Sequence, residues 1–300
     1  MSRGYIYVLL CYILVGISYP IAKGAMAQIP IWLFTSMTFA IGFLLLFPAV
    51  TLADKTSLHK IGLRAWLAIS IQSLLGAVLY TVFLLYGFDS ATAIVASVFS
   101  SLAPAAVLTL SSIFLKERLS LRKTLAIVLA IAGVLVLTLP GADGAGENTM
   151  TGILFLLLST LSTAGCVVCA NKLDVDLPPA TMAAGVCLTG TLFTLPMAII
   201  QGVAFDWHQL TIANGWVMVY YGALVWAVPY VLFFKGVTRI PASATGMAVA
   251  VIPLAASFFS ILFYGEHLHV TDCIALALVT LSIIAAEARE TRKPVLIPAG

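Results

Sequence analysis

Charge is what this chain has least of. Asp, Glu, Lys and Arg make up 9% of its 300 residues, against about 25% in an ordinary soluble domain, which excludes a soluble globule of this size. Basic residues are scattered and the net charge is only +3, which excludes a nucleic-acid-binding surface. Cysteine is sparse as well. Cys11, Cys166, Cys169, Cys187 and Cys273 all lie in apolar runs. An odd number set in hydrocarbon makes no disulfide framework, so they read as small apolar fillers. Within the apolar runs there is no G-x-S-x-G, no H-E-x-x-H and no pair of carboxylates, and the chain carries no Walker motif. Hydrolytic chemistry and ATP turnover are therefore not expected, nor is any cofactor or metal. The H-x-H of His267 and His269 lacks a second ligand cluster.

What is present is hydrocarbon. Hydrophobic residues make up 62% of the chain, with a mean hydropathy of +1.11. A bilayer core is crossed by about 20 apolar residues in helical form. Apolar runs fall at 4–24, 30–53, 65–88, 91–115, 121–140, 151–171, 178–202, 212–236, 241–264 and 270–287, which predicts ten spans. The first run follows Arg3 and ends near Ala25-Met26-Ala27, the look of a cleavable leader. Its length and the nine similar runs behind it favour an uncleaved span. With the N-terminus placed inside, 14 of the 15 Lys and Arg residues fall on inner segments and Lys23 is the one outer base. Cytoplasmic loops keep their Lys and Arg, so both termini are expected in the cytoplasm of a multi-pass inner-membrane protein.

The two halves repeat. Pro104 and Pro253 each precede a glutamate, Glu117 and Glu266, by 13 residues, an offset of 149. Val78-x-Tyr80-x-x-Phe83 matches Val228-x-Tyr230-x-x-Phe233 at an offset of 150. Five helices per half is an odd number, so the second copy enters the membrane from the opposite side. Residues 1–143 and 144–300 are the expected halves of one membrane domain. Inverted repeats mark many secondary transporters, whose sites lie near the midplane between the copies.

These features carry a resemblance. Ten spans, two five-helix halves, and a small-residue helix with a central Pro ending in Pro104…Glu117-Arg118-Leu119-Ser120 and Pro253…Gly265-Glu266-His267-Leu268 resemble the EamA-type drug/metabolite transporters. Overall the chain looks most like the aromatic amino acid exporters of the YddG type. The resemblance implies an all-α protein with a central cavity between the halves, alternating access, and export of small metabolites. It departs from the pattern at His269, where the first half has Ser120 as a helix cap.

Candidate substrate contacts follow from side-chain chemistry. Gln72, Gly76, Tyr80 and Phe83 share one helical face, and so do Gly222, Trp226, Tyr230 and Phe233. An aromatic face with a few polar tips suits an aromatic or amphipathic ligand, and equally suits core packing. Ser97, on the small-residue face with Ala93, Ser101 and Pro104, either packs tightly or lines the cavity, and Ser100 and Ser101 either bind substrate or satisfy the carbonyls that Pro104 frees. Pro20, Pro104, Pro229 and Pro253 are candidate helix breaks. Lys23 either snorkels to the headgroups or draws a substrate carboxylate into the outer vestibule. Glu117 and Glu266 read as structural, each accepting bonds from the N-terminus of the next helix. Every acidic residue can be placed in a loop or at a helix end, so coupling through a buried carboxylate is not expected and downhill transport fits better. The partners implied are a small-molecule substrate, amino acids with aromatic ones included, and the lipid bilayer. A monomer is the first expectation, with a dimer left open.

Overall fold

In the computed structural model the described residues are 3–26, 29–52, 54, 55, 58, 61–114, 120–138, 149–170, 177–237, 251–267 and 269–287. The apolar runs become helices: α1 (Arg3–Met26), α2 (Ile31–Leu52), α3 (Leu63–Ser73), α4 (Tyr80–Phe88), α5 (Ala93–Ser101), α6 (Ala103–Phe114) and α7 (Leu121–Thr138). They are followed by α8 (Met150–Ala170), α9 (Pro179–Ala204), α10 (Ile212–Tyr221), α11 (Val228–Val237), α12 (Val251–Tyr264) and α13 (Val270–Glu287). Six stretches, Gly4–Gly24, Ile31–Leu52, Leu63–Phe88, Ala93–Phe114, Pro179–Ala204 and Ile212–Leu232, are long and apolar enough to cross a membrane, with shorter apolar helices beside them. Leu44, Leu192, Ile199 and Ile131 stand more than half exposed, as side chains facing lipid do. The chain is an all-helical, multi-pass membrane protein.

Caps explain several helix starts. Thr92 accepts from the Val95 amide at 3.2 Å, Thr211 from Asn214 at 3.2 Å and Ser120 from Lys123 at 3.4 Å. At α13 the missing Ser is made good from the other side. Asp272, inside the first turn, accepts the His269 amide at 3.0 Å, the return half of a capping box.

The register of α3 and α4 corrects the expectation of one shared face. Leu74–Leu79 is a π-helix, and Gly222–Ala227, at nearly the same place in the second half, is another. Each wider turn rotates the residues after it relative to those before it. Gly76 abuts Cys166, where an added Cβ would lie 2.6 Å from Sγ, and Phe83 stacks on Phe155 of α8 at 6.2 Å. Tyr80 instead turns to α1 and α5.

Backbone groups disturbed by these breaks are met by α8. Ser162 donates to the Leu75 carbonyl at 2.7 Å, Ser159 to Tyr80 at 2.8 Å and Cys166 to Gln72 at 3.6 Å. Between α5 and α6 the helix is interrupted at Leu102, two residues before Pro104. There Thr160 donates to the Phe99 carbonyl at 2.8 Å. Hydrocarbon offers no water to do this, so a neighbouring helix must.

Helix α1 packs on α11 and α12, while α8 packs on α4 and α6; α2 lies along α9, and α7 along α13. The α2 and α9 pair is antiparallel. Gln201 Oε1 accepts the Trp32 amide at 3.0 Å, Gly190 faces Phe39, Gly42 faces Cys187, and Asp54 accepts from Thr181 at 2.8 Å. Small residues let such helices meet where lipid supplies no hydrophobic drive. At Gly222 an added Cβ would lie 2.5 Å from Ile41 and 3.0 Å from the Gly42 amide nitrogen.

Candidate functional site

Four helices converge on one fully buried phenol. Tyr19, one turn before Lys23 on α1, is 1% exposed. Its hydroxyl bonds to Tyr80 Oη of α4 at 2.9 Å and donates to Ser100 Oγ of α5. Its ring meets the edge of Phe88 at 5.9 Å. The neighbouring Ser18 carbonyl accepts from the Tyr221 hydroxyl of α10, and Tyr221 packs edge-on against Phe34 at 5.0 Å.

A second aromatic set lies on the π turn of the other half. Trp226 is 5% exposed, lies 4.4 Å from Phe39 and stacks on Tyr230 at 6.3 Å. Its Nε1 is buried with no hydrogen-bond partner among the described residues. Helix α1, which carries Tyr19, packs directly on α11, which carries Tyr230, so the two sets lie on neighbouring helices.

The structure sorts the sequence candidates. Tyr80 and Ser100 share the Tyr19 cluster, and Trp226 and Tyr230 form the neighbouring stack. Ser97 and Ser101 turn to their own helix, donating to Ile94 at 2.6 Å and to Ser97 at 3.0 Å. Gly76 and Phe83 pack against α8, and Gln72 is half-buried there, its carbonyl taking Cys166. Pro104 marks a real interruption. Pro20 lies inside a continuous α1, Pro229 is the second residue of α11 after the second π-helix, and Pro253 sits in the first turn of α12. Glu117 lies outside the described residues, as does the small-residue stretch at 241–250.

Two charged candidates take partners that the sequence did not indicate. Lys23 Nζ pairs with Glu266 Oε1 at 2.9 Å. Glu266 does not serve the helix that comes after it. Its Oε1 also accepts the Ala93 amide of α5 at 3.3 Å, across 173 residues. Asp272 already occupies the start of α13, leaving Glu266 for another helix.

Sequence reasoning missed Tyr19, Tyr221 and Gln201. Tyr19 sat beside Pro20 in an apolar run with three other tyrosines, and nothing in the spacing singled it out. Gln201 borders an open cleft of about 420 Å³ with Ile29, Pro30, Tyr86, Asp89, Phe205 and Gln209. None of the sequence candidates lines this cleft. Asp89 sits at the C-terminal end of α4, and burial raises its carboxyl above the usual range. Its folded pKa exceeds its unfolded one, so the protonated form is favoured by folding and that advantage disappears as pH rises through the folded pKa. The negative end of the helix dipole works in the same direction. Asp89→Asn is expected to raise the melting temperature at pH 7, with the gap to the parent closing as the pH is lowered below the carboxylate range. A thermal melt series in detergent checks this.

The EamA-like transporter family model matches residues 2–139 and 150–286. The uncharacterized transporter YetK of Bacillus subtilis is 26% identical over 279 residues, covering 89% of this chain and 81% of YetK. The threonine/homoserine exporter RhtA of Escherichia coli K12 is 27% identical over 165 residues, 55% of this chain and 53% of RhtA. One crystal structure superposes with a TM-score of 0.66 at 19% identity, covering 93% of this chain and 94% of that one, a likeness of fold. With the family model covering nearly the whole of an all-helical, lipid-facing chain, and with relatives named as transporters and not as enzymes, the chain belongs to the EamA-like transporter family and is a membrane transporter.

Proposed function

We propose that this transporter exports amino acids, aromatic ones included, by alternating access between two inverted five-helix halves, residues 1–143 and 144–300. Ten spans, an inner-membrane location and cytoplasmic termini complete the reading. Several observations support the repeat. The π-helices recur at Leu74–Leu79 and Gly222–Ala227. The packing of α1 on α11 and α12 mirrors that of α8 on α4 and α6. The equivalent helices α2 and α9 run antiparallel against each other, as inverted copies would.

The observations that carry the substrate reading are the hydrogen-bonded set of Tyr19, Tyr80 and Ser100 and the neighbouring stack of Trp226 and Tyr230. Apolar ring faces lie beside a few hydroxyls and a buried indole N–H that has no partner among the described residues. Rings can take an aromatic or aliphatic side chain by stacking and packing, while the hydroxyls and the N–H orient an amino acid's carboxylate and ammonium. Gln72, Ser97, Ser101, Gly76 and Phe83 then act around the site through helix shape and packing. Pro104 and Pro253 give the helices places to bend as the halves rock.

Uptake of radiolabelled phenylalanine, tryptophan and threonine into proteoliposomes, with and without an imposed proton gradient, tests the reading. The name of the Escherichia coli relative puts threonine in the set. Saturable uptake that ignores the gradient is the expected result. No uptake of any amino acid would withdraw the exporter reading. Tyr80→Ala is expected to lower the rate without lowering the yield of folded protein in the membrane.

A further inference from the structure

Glu266 sits at a close crossing between the proposed halves. Helix α12 ends in a turn set by Gly265, whose φ of +63° lies in the left-handed region. The Gly265 amide donates to the Ile261 carbonyl at 3.1 Å and the Glu266 amide to Ser260 at 3.4 Å, a left-handed helix closure that favours glycine at this point. The turn delivers the Glu266 carboxylate to two groups of the first half at once. Oε1 lies 2.9 Å from Lys23 Nζ at the end of α1 and 3.3 Å from the Ala93 amide at the start of α5. Next to this contact α1 and α12 are so close that a Cβ on Gly24 would lie 2.3 Å from the Tyr264 hydroxyl.

The arrangement is more specific than a surface ion pair. The Glu266 side chain is only 11% exposed and its Oε2 is buried without a partner among the described residues. Thr92 caps α5 through the Val95 amide, so Glu266 adds a second acceptor, supplied from 173 residues away, to a helix end that attracts negative charge. One turn below Lys23 lies Tyr19, with Tyr80 and Ser100. The same three residue types recur in the sequence at an offset of 149, as Lys172, Glu117 and Ala242, all outside the described residues.

We propose that Glu266 is a latch. By bridging Lys23 and the α5 N-terminus it holds shut the end of the transporter above the Tyr19 cluster, and it releases both when that end opens. The proposal rests on the alternating-access reading, in which this end faces outward.

The test reads opening directly and needs no substrate. In a chain whose five cysteines are replaced by alanine, Phe88→Cys places a thiol at a buried position beside Tyr19. Its labelling by a membrane-impermeant maleimide is followed in intact cells and in inverted vesicles. Glu266→Gln and Lys23→Gln are each expected to speed labelling by about tenfold, the scale of a lost charge-assisted hydrogen bond. The double variant should be no faster than the faster single one, because both cut the same tie. Lys23 is one-third exposed, so Lys23→Gln carries the test if Glu266→Gln does not fold. Unchanged labelling, or single effects that multiply in the double variant, would overturn the latch. Faster labelling together with no amino acid uptake would leave the latch standing and remove the substrate reading alone. Acceleration seen only in inverted vesicles would keep the latch and reverse the orientation.

Discussion

Tyr19→Ala is expected to reduce the proposed amino acid transport by at least about tenfold, and Tyr19→Phe to show that the hydroxyl accounts for much of the loss. The side chain is fully buried where α1, α4 and α5 meet, and its hydroxyl links Tyr80 to Ser100. Removing the hydroxyl alone leaves buried polar partners short of a bond, at a cost of about 1–3 kcal/mol. That cost lowers stability; if the hydroxyl set also holds substrate as proposed, the Phe variant should in addition show a KM raised by about tenfold, or about 1.4 kcal/mol of lost binding. Removing the ring as well forfeits the edge contact with Phe88 and opens a cavity, about 3–5 kcal/mol in a packed interior. Initial rates in proteoliposomes, set beside size-exclusion profiles, separate the two. A Phe variant with the parent's KM and rate would take Tyr19 out of the site and leave it a packing residue.

Gly222 and Gly215, two turns apart along the chain, should respond in opposite senses to the same substitution. Gly222→Ala is expected to destabilise the protein by about 1–3 kcal/mol, the usual cost of forcing atoms into a filled interior. Its new Cβ would meet Ile41 Cγ2 at 2.5 Å, Ile41 Cβ at 2.8 Å and the Gly42 backbone nitrogen at 3.0 Å. A β-branched side chain and a backbone have little room to yield, and Gly222→Leu should fail to accumulate in the membrane. Gly215, in the middle of α10, has nothing within 4 Å of an added Cβ. Gly215→Ala is expected to stabilise by about 0.5–1 kcal/mol, because glycine is a poor helix former. Melting of the purified variants in detergent reads both signs. Stabilisation by Gly222→Ala would show that α2 and the second π turn do not meet as closely as the geometry requires.

Much of the fold was legible in the order of residues. The bilayer forces each crossing into a long apolar helix, so runs such as 30–53 and 178–202 appear as Ile31–Leu52 and Pro179–Ala204. The break near Pro104 was legible for a similar reason, since proline lacks the amide proton a helix needs. The π turns were not. Leu74–Leu79 is an ordinary apolar stretch whose wider turn is accommodated by Ser159, Ser162 and Cys166 of a different helix.

The sequence by itself determined that the chain lives in a membrane, roughly where its helices start and stop, and that its two parts echo each other. Those properties come from local hydropathy and from residue spacing along the chain. Only the tertiary structure decided which polar groups meet. Tyr19 was one tyrosine among several until α4 and α5 brought Tyr80 and Ser100 to it. Lys23 was a stray charge until Glu266, 243 residues later, arrived beside it. Partners inside a bilayer are chosen by which helices pack together, because unpaired polar groups there find no water to satisfy them.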